Sequence, residues 1–335
     1  MMATENRMWT LAARPRGFPQ ENDFALKSGP IPKAGDGQAV VRSTYLSVDP
    51  YMRGRMNETR AYADPVAIGG TMVGGTVGEV VESKSPKLAV GDTVVGFGGW
   101  QEYWIADGAS SNKFDTSIAP ASASLGVLGM PGMTAYFGLL DVCSPKAGEM
   151  VYVSGAAGAV GALVGQIAKI KGCYVAGSAG TDEKVKHLLD ESRFDAAFNY
   201  KTHTDYFAML RSVCPKGIDC YFDNVGGAMT DTVLQSINQF ARISICGVIS
   251  QYNLEQPEMG PRLWAMLLIR QARAEGFLVN QYLSRWPEGI RQMAQWLKEG
   301  KIVYREDIMP GFENMPKAFI RMLRGENKGK QLVQA

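Results

Sequence analysis

Gly155-Ala156-Ala157-Gly158-Ala159-Val160-Gly161 constrains this chain more than any other stretch, because an apolar run at 150–154 leads into it and a small-residue helical pattern leaves it. That order reads as a strand, a tight turn and a helix N-terminus. Glycine at such a turn permits positive φ and close backbone approach, while the first-turn N–H groups of the helix face outward, ready for a pyrophosphate. The spacing is G-x-x-G-x-x-G rather than G-x-G-x-x-G, so the motif points to a dinucleotide only together with its surroundings.

Those surroundings agree. Beyond residue 124 apolar runs at 150–154, 174–178, 196–199, 220–223 and 242–249 alternate with helical patterns, the signature of βαβ units and a parallel sheet. Leu163, Val164, Ile167 and Ile170 mark the crossover helix at 162–170. A second helix is expected at 182–191, capped by Thr181 and carrying Lys184 in its first turn. Further helices are expected at 287–298 and 312–323, and a closing strand at 331–333. Residues 1–123 read differently, as β-rich sequence with strands at 38–45, 76–82 and 93–97 between Gly and Pro clusters. The fold class expected is α/β: a Rossmann doubly wound parallel sheet plus a β-rich, barrel-like domain. At 335 residues the chain exceeds the roughly 250 to 300 at which single cores stop growing.

The tip of the second strand, Gly177-Ser178-Ala179-Gly180-Thr181, lacks the acid that would hold the ribose hydroxyls of NAD, and Lys184 follows it. This points to NADP(H). Asp182 and Glu183 read as first-turn helix acids rather than ribose ligands. A net charge of +2 does not suggest a nucleic-acid partner. No apolar run approaches the ~20 residues that span a bilayer, and Met1 to Trp9 lacks the order of a signal peptide, so a cytoplasmic location is expected. Cys143, Cys173, Cys214, Cys220 and Cys246 form no C-x-x-C pair and read as free, buried thiols. With His187 and His203 the only histidines and neither near a cysteine, no zinc ligand set is visible.

Several strings carry a resemblance. They are Leu46-Ser47-Val48-Asp49-Pro50-Tyr51-Met52-Arg53-Gly54-Arg55-Met56, Gly129-Met130-Pro131-Gly132-Met133-Thr134-Ala135-Tyr136, Tyr221-Phe222-Asp223-Asn224-Val225-Gly226-Gly227 and Cys246-Gly247-Val248-Ile249-Ser250-Gln251-Tyr252-Asn253, besides the glycine turn. Through nearly its whole length the chain resembles the zinc-independent medium-chain dehydrogenase/reductase superfamily, in its branch of prostaglandin reductases, plant double-bond reductases and bacterial curcumin reductases. Residues 254–270 depart most from that pattern.

The resemblance implies a GroES-like substrate domain from residues 1–123 and 306–335, with an NADP-binding domain at 124–305 between them. It implies a homodimer that uses NADPH to reduce the carbon–carbon double bond of α,β-unsaturated ketones and aldehydes. Carried over by position, Ala157, Gly158, Ala159, Val160 and Gly161 would hold the pyrophosphate, Lys184 the 2′-phosphate and Tyr200 the adenosine end. Asn224, Cys246, Gly247, Ser250 and Tyr252 would continue the cofactor site, with Phe277, Leu278, Val279 and Asn327 completing it. Zinc-dependent relatives carry Gly-His-Glu where this chain has Ile68-Gly69-Gly70-Thr71, so no metal is expected.

Hydride addition to an enone leaves negative charge on the carbonyl oxygen, which needs a preorganised donor. Tyrosine, with an ordinary pKa of about 10, keeps its proton at neutral pH. Tyr252 is the first candidate and Tyr51 the second, and Tyr51, Tyr252 and Met130 are the expected substrate pocket. Met56, Met72 and Met133 fit pocket or core equally. Arg53 and Arg55 read as structural salt links. A quinone reductase, or an NADPH-binding protein without turnover, are the competing readings.

Overall fold

The computed structural model describes residues 5–203 and 205–335, so the first four residues of the Met1 to Trp9 reading lie outside it. The chain divides into two compact units: Val127–Arg305 is one, and the stretch ending at Gly126 together with Glu306–Ala335 is the other.

The N-terminal stretch opens with an antiparallel ribbon, β1 (Asn6–Leu11) and β2 (Phe24–Gly29). It continues with β3 (Gln38–Ser47), the short helix α1 (Met52–Arg55), β4 (Thr76–Ser83), β5 (Thr93–Gly96), β6 (Tyr103–Asp107) and β7 (Asn112–Lys113). The long strand is mostly buried: Ala39, Val40, Val41 and Leu46 are buried, while Arg42 is exposed and pairs with Glu79.

The middle unit begins with α2 (Met130–Phe137), which is followed by a π-helical turn at Gly138–Cys143. Then come β8 (Met150–Val153), α3 (Gly161–Ile170), β9 (Tyr174–Ala179), α4 (Asp182–Asp190), β10 (Ala196–Asn199), α5 (Tyr206–Val213), β11 (Ile218–Asp223), α6 (Gly227–Leu234), β12 (Ile237–Ile245), α7 (Trp264–Arg270), β13 (Arg273–Gly276) and α8 (Trp286–Lys298). The six strands are all parallel, in the order β10-β9-β8-β11-β12-β13. Chain direction across the sheet reverses between β8 and β11, the topological switch point at which open α/β sheets bind ligands. All four residues of β8 are buried, as a central strand covered on both faces requires.

The chain then returns with β14 (Glu306–Pro310), α9 (Met315–Leu323) and β15 (Lys330–Gln334). β15 lies between β14 and β3 in a seven-stranded sheet. Leu46, Met52, Met56, Met72, Trp100, Phe312, Phe319 and Val333 form the main core of this unit.

Two expected elements are shifted. The strand expected at 242–249 starts at Ile237 and stops at Ile245, because the amides of Cys246 and Gly247 both donate to the Asp223 carbonyl, at 2.9 and 3.1 Å, and the ladder ends there. The helix expected at 312–323 begins at Met315, with Pro316 in its first turn; Phe312–Asn314 forms a 3₁₀ turn that buries the Phe312 ring.

Candidate cofactor and active site

Two turns face each other at the switch point. In the first, Gly155 has φ 59°, a region glycine enters without steric cost, and the Ala156 amide donates to the Ser178 carbonyl at 2.9 Å, tying the turn to β9. Gly161 is demanded by space: a Cβ there would stand 2.6 Å from the Gly155 carbonyl oxygen and 2.8 Å from Ala156 Cα. Gly158 is looser, with the nearest atom to an added Cβ at 3.4 Å. The turn from Ala157 to Val160 is thus packed tightly at Gly161 and leaves room at Gly158 ahead of α3, an arrangement of small residues at a helix N-terminus that fits an anionic pyrophosphate.

Across the crevice the second turn, Asp223 to Gly227, is held by a side chain. Asp223 accepts from the amides of Val225 and Gly226 at 2.9 Å each and from Ser154 Oγ at 3.0 Å. Asn224 spans the gap: its amide donates to Ser154 Oγ at 3.0 Å and its Nδ2 to the Ser154 carbonyl at 2.8 Å. The ends of β8 and β11 are thereby fixed to one another.

At the tip of β9, Thr181 caps α4 by accepting from the Lys184 amide at 3.2 Å. The Asp182 carboxylate is turned away to accept from Asn199 Nδ2 at 2.8 Å. Its place is structural, as the sequence suggested. Tyr200 follows β10, and its hydroxyl would stand 3.0 Å from a Cβ at Gly180, so the missing side chain leaves room for the phenol beside Lys184's turn. Burial pushes the Tyr200 hydroxyl above its ordinary range.

The loop after β12 carries Cys246, Gly247, Ser250 and Tyr252. Ser250 Oγ donates to the Val225 carbonyl at 2.7 Å, and the Ile249 amide donates to the Asn224 carbonyl at 3.3 Å, so this loop leans on the second turn. The Tyr252 hydroxyl accepts from the Val248 amide at 3.3 Å. Burial raises its proton affinity, while that amide lowers it. A phenol with its oxygen so engaged keeps its own proton free to donate.

Other expected residues are placed as follows. The Phe277 ring is buried against Gly138 and Phe222, so only its main chain can serve a ligand; Leu278 is exposed and Val279 half-buried. Met130 is half-buried at the start of α2, whereas Met56, Met72 and Met133 are fully buried and belong to the core. The thiols are all free, and four are buried as expected; Cys246 is only half-buried by exposure, and desolvation pushes it up to about 12.

Tyr51 and Asn327 belong to the other unit. Tyr51 is half-buried on that unit's core, and burial, followed by the charge of Asp49, raises its hydroxyl far above the ordinary range. Asn327 Nδ2 donates to the Gly329 carbonyl at 2.7 Å. The Asp49-Pro50-Tyr51 string is anchored by a feature the sequence reading missed. Lys330 donates to Asp49 at 2.8 Å and to the Val48 carbonyl at 2.8 Å, with both charged residues buried. Lys330 stands between Gly329 and Gln331 in a polar stretch, and nothing local in the sequence marks it as buried. The salt link expected at Arg55 is instead a hydrogen bond to the Asp64 carbonyl at 2.5 Å, and Arg53 donates to Gly17 and Asn57.

Comparison with known proteins agrees with this geometry. A family model described as the N-terminal domain of oxidoreductase matches residues 7–114, and one described as zinc-binding dehydrogenase matches residues 159–299. An NADPH-dependent curcumin reductase of Escherichia coli is 48% identical, covering 98% of this chain and 96% of that protein. The chain belongs to the medium-chain dehydrogenase/reductase family. Within that family it lies in the branch of curcumin, prostaglandin and alkenal reductases. An NADP⁺-dependent 2-alkenal reductase of Nicotiana tabacum is 46% identical over 95% of this chain and 94% of its own length. The crystal structure of CurA from Vibrio vulnificus in complex with NADPH superposes with a TM-score of 0.94 at 46% identity, covering 98% of this chain and 99% of that one. A quinone oxidoreductase from Pseudomonas syringae, at 19% identity and a TM-score of 0.77, shares the fold. The metal in the second family description has no ligand set here: no group of three or more His, Cys, Asp or Glu among the described residues is placed to hold an ion.

Proposed function

We propose that this chain reduces the carbon–carbon double bond of α,β-unsaturated ketones and aldehydes, with NADPH as reductant. The observation that carries the reading is Tyr252, whose hydroxyl accepts from the Val248 amide, in the loop after β12 that leans on the second switch-point turn. The activities printed for the E. coli and tobacco relatives support it.

NADPH, when bound, supplies a hydride. Ala157 to Gly161 would hold its pyrophosphate through those main-chain N–H groups of the turn other than that of Gly158, which already donates to the Gly155 carbonyl at 3.1 Å, with Lys184 and Tyr200 on the 2′-phosphate side. Asn224, Cys246, Gly247 and Ser250, the main chain of 277–279 and Asn327 would complete the site. As the β-carbon of the enone accepts hydride, charge gathers on its carbonyl oxygen. Tyr252 would donate to that oxygen from a site where its hydroxyl is already oriented and, raised by burial, keeps its proton at neutral pH. Tyr51 and Met130 would form the rest of the substrate pocket. Lys184→Ala should cut the preference for NADPH over NADH by about tenfold or more, read as the ratio of their dissociation constants.

The functional unit we propose is a homodimer. β13 is an open sheet edge, and Trp264, Leu268 and Ile269 of α7 are 77%, 80% and 62% exposed, an apolar surface that a second copy would cover. Light scattering that gives the mass of one chain at micromolar concentration would refute this. Five unpaired thiols fit a reducing, cytoplasmic setting, which cell fractionation tests.

Loss of 340 nm absorbance with NADPH and an alkenal, an aryl enone, a diarylheptanoid and a quinone tests the reaction. Oxidation with the conjugated carbonyls is expected. Selective turnover of the quinone would favour a quinone reductase, and tight NADPH binding with no turnover a binding protein.

A further inference from the structure

The crevice floor carries a charge that the chemistry above leaves unused. Asp223 is 2% exposed, and every partner of its carboxylate among the described residues is a neutral donor. Oδ1 accepts from the Tyr221 hydroxyl at 2.8 Å, from Ser154 Oγ at 3.0 Å and from the amides of Val225 and Gly226 at 2.9 Å; Oδ2 accepts from Thr230 Oγ1 at 2.7 Å. Five donors on one side chain match an acceptor-only carboxylate. The main-chain carbonyl of the same residue accepts from Cys246 and Gly247. Asp223 thus lies directly beneath both loops proposed to meet the nicotinamide half of the cofactor. Burial and then the Asp223 charge raise the proton affinity of Cys246; burial raises that of Tyr252 against the Val248 amide, with Cys246 and then Asp223 adding to it.

A structural turn acceptor needs no charge, since an asparagine oxygen accepts the same amide bonds. A buried carboxylate with no cation beside it is costly, and its negative potential falls off slowly in a dry interior. The nicotinamide ring is neutral when reduced and positive when oxidised. We propose that Asp223 is an electrostatic positioning residue of the cofactor site, whose uncompensated charge under residues 224–226 and 246–252 favours the oxidised, cationic nicotinamide over the reduced, neutral one. The same charge would favour departure of hydride from the ring. The inference rests on the cofactor part of the reading above and not on the substrate.

Asp223→Asn tests it. The amide oxygen can keep the four donors at Oδ1, and the new NH₂ can donate to Thr230 Oγ1, whose proton then turns toward Tyr221, 2.9 Å away. Dissociation constants for NADPH and NADP⁺ are measured by titration calorimetry. The expected result is that NADP⁺ is weakened about fivefold or more beyond NADPH. Equal weakening of both, or of neither, would overturn the proposal, because a purely structural role moves the two together. Thr230→Val, which removes a hydrogen bond and keeps the charge, should leave the ratio unchanged; a ratio shifted as far as in Asp223→Asn would also overturn it. Should Asp223→Asn fail to fold, Tyr221→Phe removes one donor from the carboxylate and should favour NADP⁺ about twofold; an unmoved ratio there refutes the idea. Only binding is read, so failure of the enone reading does not disturb the outcome.

Discussion

The two turns at the switch point face the same crevice and are built on opposite principles. The one after β8 owes its shape to missing side chains: Gly161 lies so close to Gly155 and Ala156 that any Cβ would collide with backbone. The one after β11 owes its shape to a single residue, Asp223, whose carboxylate accepts from Ser154 at the end of β8 and from the turn's own Val225 and Gly226 amides, while its main-chain carbonyl accepts from Cys246 and Gly247 at the end of β12. A bare turn can offer main-chain N–H groups to a ligand's phosphates. A turn filled by an anion cannot, and it serves instead to fix loops and set the local potential.

Asp223→Ala should break the second turn most severely. Stranding five buried donors is expected to cost about 3 to 5 kcal/mol of stability, read from urea denaturation; a loss below about 1 kcal/mol would show that the turn holds itself. Next in size is Tyr252→Phe, which removes the donor on the loop resting against that turn. Its kcat should fall about 10- to 1000-fold with little change in NADPH affinity, and unchanged turnover would remove Tyr252 from the mechanism. In the first turn, Gly161→Ala should cost about 1 to 3 kcal/mol and weaken NADPH binding in step, because only backbone can yield. Smallest is Gly158→Ala, with 3.4 Å of room and no left-handed φ: about 0.5 kcal/mol or less, and near-native NADPH affinity. Equal effects at Gly158 and Gly161 would contradict steric crowding as the reason for the glycines.

The first turn was legible because its signal is local. Three glycines and an apolar run lie within twelve residues, and the strands at 150–154, 174–178 and 196–199 stand close to where the periodicity put them. The sequence marks Asp223 only as the end of a strand and a member of a family string, since its role exists only once β8, β11 and β12 lie side by side. The strand β13, Arg273-Ala274-Glu275-Gly276, has no apolar pattern because it is a short edge strand. Its pairing with β12 was invisible for that reason. Likewise Asp49 and Lys330 are 281 positions apart, and nothing in either neighbourhood announces the other.

That last pair has a consequence for how the polypeptide is made. β15 fills the slot between β14 and β3, and Lys330 neutralises a carboxylate already committed to the interior by residue 49. While the ribosome is still producing the middle of the protein, the first unit waits with an unfilled sheet edge and an unanswered buried charge. The middle unit, whose strands all lie within residues 150–276, can finish first. Synthesis that stalls before residue 330 would therefore release a nascent chain with one settled half and one sticky half, a natural substrate for chaperones.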